Sequence, residues 1–101
     1  MSHYFEEQSE VSYTFVELCE VCHVEATVII EMVDFTIVEP KGESETSWVF
    51  SSVDILRLKK AIRIHHDLEV NVAGVAMALE LMDELNHYKK KVSDLEVLLN
   101  R

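Results

Sequence analysis

The stretch TFVELCEVCHVEATVIIEMVDF, residues 14–35, decides the fold. Thr14 with Glu17 three places on is the signature of a capping box, in which each side chain accepts the other residue's backbone N–H at a helix start. Phe15, Leu18, Cys19 and Cys22 then recur at helical spacing, so the pattern predicts a first helix of about two turns. A brief turn at His23 and Val24 leads to a second helix, where Ile29, Met32 and Val33 form an inward stripe and Thr27, Glu31 and Asp34 face water. Val28 and Ile30 fall at its margins, as exposed apolar groups edged by carboxylates. Two short amphipathic helices around a tight turn read as a helix-turn-helix, whose second helix ordinarily enters the DNA major groove. Residues 25–35 nevertheless hold three acids and no Lys or Arg.

Downstream, Ile37-Val38-Glu39-Pro40 and Trp48-Val49-Phe50 flank a polar loop, residues 41–47, that contains Gly42. Two β-rich runs around such a loop predict a hairpin, and its place after a helix-turn-helix makes it a wing. Ser52 then caps a third helix, from residue 53 to about 69, with Ile55, Leu58, Ala61, Ile62, His65 and Leu68 toward the core. Asn71 opens the last helix, which meets no breaker from residue 75 to residue 99. A helix of that length spans ~40 Å, beyond the ~26 Å that twice the radius of gyration gives a compact chain of this size. Its second half must project. Leu81, Leu85, Tyr88, Val92, Leu95 and Leu99 alternate there at four and three, the a/d seam of a coiled coil, which calls for a second copy of the chain and hence a homodimer. Upstream, residues 1–10 read as a mobile end or a short edge strand around Tyr4 and Phe5.

The chain of 101 residues supports a single core, with 49% apolar residues, one Pro and two Gly. We divide it into a winged helix-turn-helix domain at residues 1–70, including the polar N-terminal segment, and a helical dimerisation arm at 71–101. The fold class is mainly α, with a short β-hairpin wing and a long C-terminal helix. No signal-peptide pattern or apolar run of spanning length is present, which leads us to expect a cytoplasmic protein without membrane attachment and with reduced cysteines.

Charge narrows the partners. Residues 1–56 hold twelve acids against Lys41 alone, whereas residues 57–101 hold eight bases and seven acids. DNA-binding affinity rests on clustered Lys and Arg, so the acidic half repels a duplex and attracts a basic protein surface instead. No nucleic-acid partner is expected.

Cys19-Glu20-Val21-Cys22-His23 matches the haem-attachment pattern C-x-x-C-H. Both sulfurs fall on the apolar stripe of a short helix, no fourth zinc ligand stands at usual spacing, and we read the pair as small core hydrophobes. His65 and His66 point about 100° apart on a helix, so one is packed and the other solvated. Lys89-Lys90-Lys91 reads as the wet side of the projecting helix. No phosphate loop, catalytic triad or defensible carboxylate pair is present, so we expect no enzyme, no cofactor, no metal and no small-molecule substrate.

The order helix, turn, helix, wing, helix, long helix resembles the MerR superfamily of winged-helix regulators. Within it, Thr14 to Cys19 (TFVELC), Val38-Glu39-Pro40, Trp48-Val49-Phe50, and above all AIRIHHDL at 61–68 with GVAMALELMD at 74–83, resemble the CbpM family of chaperone modulators. The chain departs from that family at Asn71-Val72-Ala73, where Asp-Trp-Pro is usual, and at His23, where Gly is usual. The resemblance implies binding to the basic J-domain of a CbpA-like, DnaJ-type co-chaperone, blocking its stimulation of DnaK. Combined with the acidic balance, it implies a docking surface of Thr27, Ile30, Glu31 and Asp34 on the second helix with Glu39, Glu43 and Glu45 on the wing. The alternative within the superfamily is a MerR-like DNA-binding transcriptional regulator.

Overall fold

The computed structural model describes residues 11–100; the expected edge strand around Tyr4 and Phe5 lies outside them. Strand β1 (Ser12–Thr14) runs directly into helix α1 (Phe15–Cys22), followed by α2 (Ala26–Asp34), β2 (Val49–Ser51), α3 (Ser52–Asp67) and α4 (Val72–Leu99). The mainly helical architecture with a long final helix is the one the sequence predicts.

The two strands pair antiparallel, with Ser12 opposite Ser51, Tyr13 opposite Phe50 and Thr14 opposite Val49. Each strand ends in a capping box that starts a helix. At α1 the Glu17 N–H donates to Thr14 Oγ1 at 3.2 Å and the Thr14 N–H to Glu17 Oε1 at 2.9 Å. At α3 the Asp54 N–H donates to Ser51 Oγ at 3.1 Å and the Ser51 N–H to Asp54 Oδ2 at 2.8 Å. Pairing the strands therefore sets α1 and α3 side by side.

This arrangement corrects three expectations. Residues 37–38 are not the wing's first strand, because their backbone is committed elsewhere. Thr36 takes a left-handed conformation at φ 59°, and the N–H groups of Thr36 and Ile37 close back on Val33 O and Met32 O, both at 2.9 Å. That is a Schellman end to α2, with buried Ile37 against buried Met32 as its apolar contact. Arg57 Nε then donates to Ile37 O at 2.6 Å. Pro40, lacking an N–H, cannot extend a ladder, and the wing is joined only by a bridge between Lys41 and Val49, with N–H to O distances of 3.1 and 2.9 Å. Ser51 rather than Ser52 caps α3, since only Ser51 stands three places before Asp54. Leu68 is the C-cap and exposed rather than core, because α3 ends at Asp67 and Glu69 turns left-handed at φ 52°.

The core joins Leu18, Ile29, Met32, Ile37, Val38, Phe50, Ile55, Leu58 and Ala61 to Val72, Val75 and Leu79 of α4. Phe15, Trp48 and Phe50 stack edge to face at 5.5 and 6.0 Å beside it, fixing the returning wing strand to α1. Gly42, at φ 109°, lies so close to the Ser47 backbone that a side chain there has no room. Asn71 caps α4 by accepting the Gly74 N–H at 2.8 Å. The helix has 28 residues, about 42 Å at the standard rise, and no residue from Asp83 to Asn100 is even half-buried. The radius of gyration, 16.7 Å, exceeds the ~13 Å of a compact chain of this length, as a projecting helix requires.

Candidate protein-binding surface

Helix α2 presents Thr27, Glu31 and Asp34 to solvent at i, i+4 and i+7, one face of a helix, with Ile30 between them. Ile30 and Val28 are half-buried rather than exposed, so the face is more polar than its sequence suggests. The N-cap residue Glu25 makes no side-chain cap, and no base occupies the last turn. Neither Glu31 nor Asp34 has an ion-pair partner among the described residues.

The three wing acids do not form one patch. Exposed Glu43 and Glu45 share a shallow cleft with Ser44, Thr46 and Trp48, and Glu45 also borders Thr14, Phe15 and Val16 at the start of α1. Their loop is pinned by the Ser47 N–H donating to Ser44 O at 2.9 Å and the Ser44 N–H donating to Ser47 Oγ at 3.1 Å. Glu39 lies instead in a larger cleft beside Ser12, Lys41, Ser51 and Asp54. The α2 residues line neither cleft. The structure thus groups Thr27, Ile30, Glu31 and Asp34, groups Glu43 with Glu45, and sets Glu39 apart.

Sequence reading missed a polar cleft just past the end of α2. A cleft of ≈ 290 Å³ at the end of α2 is lined by Phe35, Thr36, Ile37, Arg57, Ala76, Glu80 and Asp83. Arg57 reaches across it to Asp83 at 3.3 Å. Glu80 and Asp83, one turn apart on α4, line this cleft together with exposed Phe35. Their spacing of three was legible; that they face α2 was not, since it depends on how α4 crosses the core.

Cys19 and Cys22 are half-buried and unbridged. Burial pushes both thiols above the ordinary cysteine value, helped by Glu20 at Cys19; at Cys22 Lys59 works against the rise and Cys19 for it. His23 closes α1 in a left-handed conformation, φ 53°, its N–H bonded to Cys19 O, so its place after the cysteines is a helix-capping one. Among the described residues no three His, Cys, Asp or Glu side chains cluster as a metal site. His65 is half-buried with Nδ1 2.6 Å from Val70 O, while His66 is exposed beside Asp67. The seam residues Leu81, Leu85, Tyr88, Val92, Leu95 and Leu99 are 54–84% exposed along one projecting helix. No helix among the described residues is long and apolar enough to cross a membrane.

The model of the family described as MerR HTH family regulatory protein matches residues 13–97. The chaperone modulatory protein CbpM of Coxiella burnetii (strain Dugway 5J108-111) is 40% identical over 85 residues, covering 84% of this chain and 80% of its own. Those of Pseudomonas entomophila (strain L48) and Pseudomonas putida (strain KT2440) are 39% and 38% identical, each over 83% of both chains.

Proposed function

Since the chain belongs to the CbpM family of chaperone modulatory proteins, within the MerR helix-turn-helix regulators, we propose that it is a non-catalytic chaperone modulator that binds the J-domain of a CbpA-like, DnaJ-type co-chaperone and blocks its stimulation of DnaK. The observation that carries this reading is the chemistry of α2. It occupies the place of a DNA-reading helix but presents Glu31 and Asp34, without a Lys or Arg anywhere on it. Phosphate contacts are unavailable to such a face, and a basic protein surface is its electrostatic complement. Thr27 and Ile30 complete the docking face, and Glu43 and Glu45 add long-range attraction from the wing. Glu39 contributes to that attraction rather than to contact, given its separate cleft.

The protein acts as a homodimer, through the seam of Leu81, Leu85, Tyr88, Val92, Leu95 and Leu99. A row of large apolar side chains along the projecting half of α4, left exposed by the other described residues, is stabilised by pairing with its own copy.

The test is a binding titration with a CbpA-type J-domain beside a mobility-shift assay on mixed-sequence DNA. Saturable J-domain binding without a DNA shift is expected. Glu31→Lys with Asp34→Lys should weaken that binding at least tenfold, ~1.4 kcal/mol, mostly through a slower association rate that falls further as salt rises. Unchanged affinity moves the docking site off α2, and a DNA shift without J-domain binding returns the chain to transcriptional regulation.

A further inference from the structure

We propose that the outer face of α3, with the groove it forms against the end of α1, is a second docking surface, one that takes an acidic amphipathic segment of a protein partner. Apart from Lys41, the bases among residues 1–70 all stand on α3: Arg57, Lys59, Lys60 and Arg63. Arg57 turns inward to Ile37 O and Asp83. Lys59, Lys60 and Arg63 are exposed, and none has an ion-pair partner among the described residues. Val53 and Leu56 share the outer face with Lys60 and Arg63 at i, i+3, i+7 and i+10, and are 72% and 69% exposed. Beside them runs a groove of ≈ 320 Å³ with Val21, Cys22 and Ile62 as its apolar part and Lys59, Arg63 and His66 as its polar edge. Asp67, at its far end, lies 3.1 Å from His66.

An apolar first half, Val53 and Leu56, followed by bases without a partner among the described residues, Lys60 and Arg63, matches a helical segment that carries apolar groups and carboxylates on one face. It matches a phosphate backbone poorly, because Val53 and Leu56 would be buried against charge. The sign is opposite to that of the α2 face and the residues are different, so this surface stands or falls independently of J-domain binding.

The test titrates the isotope-labelled full chain, by nuclear magnetic resonance, with a short synthetic helical peptide bearing Leu and Glu on one face. Its Lys-for-Glu counterpart and mixed-sequence duplex DNA are the other arms. Saturable amide shifts at Val21, Leu56, Lys59, Lys60 and Arg63 are expected with the Glu peptide alone, and Lys60→Glu with Arg63→Glu should weaken binding at least tenfold. Both side chains are exposed, so helical content should hold, and circular dichroism checks it. The proposal is overturned by equal binding of the Lys peptide, by affinity within twofold after the double reversal, or by no saturable shift up to about 1 mM peptide, the weak end of the affinity scale. Larger shifts at the same residues with DNA also overturn it, and reassign the face to nucleic acid.

Discussion

Within α4, Val72, Val75 and Leu79 are buried in the core, whereas Leu85, Tyr88, Val92, Leu95 and Leu99 are more than half exposed on the same helix. Both halves carry apolar residues at helical spacing, so periodicity alone does not separate them. The difference is where the rest of the chain ends. Met82 is the last residue of α4 with even partial cover from α2 and α3. An apolar stripe therefore states which face seeks cover but not whether the same molecule supplies it.

The contrast breaks most visibly under truncation. Leu79→Ala should cost about 2–5 kcal/mol, the usual range for emptying a buried leucine site, read as a lower denaturation midpoint at unchanged slope. Leu85→Ala, measured dilute enough to keep the chain monomeric, should stay within about 0.5 kcal/mol of the unmodified protein. Comparable losses at both positions would mean that the two halves share one environment. Leu85→Lys with Leu95→Lys sharpens the same contrast from the other side. Sedimentation should show the unmodified chain dimeric at tens of micromolar, a range typical of weak homodimers, and the variant monomeric with its helical content retained.

Smaller effects test the body that holds the buried half. Removing the cap in Ser51→Ala should destabilise by about 1 kcal/mol, because the Asp54 N–H loses its acceptor at the start of α3. Ser52→Ala, inside the first turn, should be close to neutral. Smallest of all is the effect of the two thiols. Their pKa is raised in the folded state, so they contribute stability below the ordinary cysteine value and lose it as pH rises through the raised one. Alkylation of Cys22 near neutral pH should accordingly be slower in the folded protein than in urea.

Much of the fold was readable because its signals are local. The Thr14–Glu17 box, the His23 turn, the Asn71 cap and the exposed row of Thr27, Glu31 and Asp34 each depend on residues within one or two turns of each other. The differences have local roots as well: Ser51 and Ser52 both stand at the start of α3 as cap candidates, and Thr36 does not announce a left-handed helix end as a glycine would. The pairing of β1 with β2 was a different matter. It joins residues more than thirty places apart, and three-residue strands carry too little alternation to name a partner.

By itself the sequence determined the four helices, the acidic character of α2 and the apolar row along the end of α4, because helix periodicity, capping and charge are properties of neighbouring residues. Only the tertiary structure decided that Ile37 and Val38 are core rather than wing, that Arg57 ties the end of α2 to α4, and that Glu80 and Asp83 line the cleft past the end of α2. Those outcomes follow from which buried faces meet, and α4 can bury Val72, Val75 and Leu79 only by crossing the body along the line that carries Asp83 to Arg57.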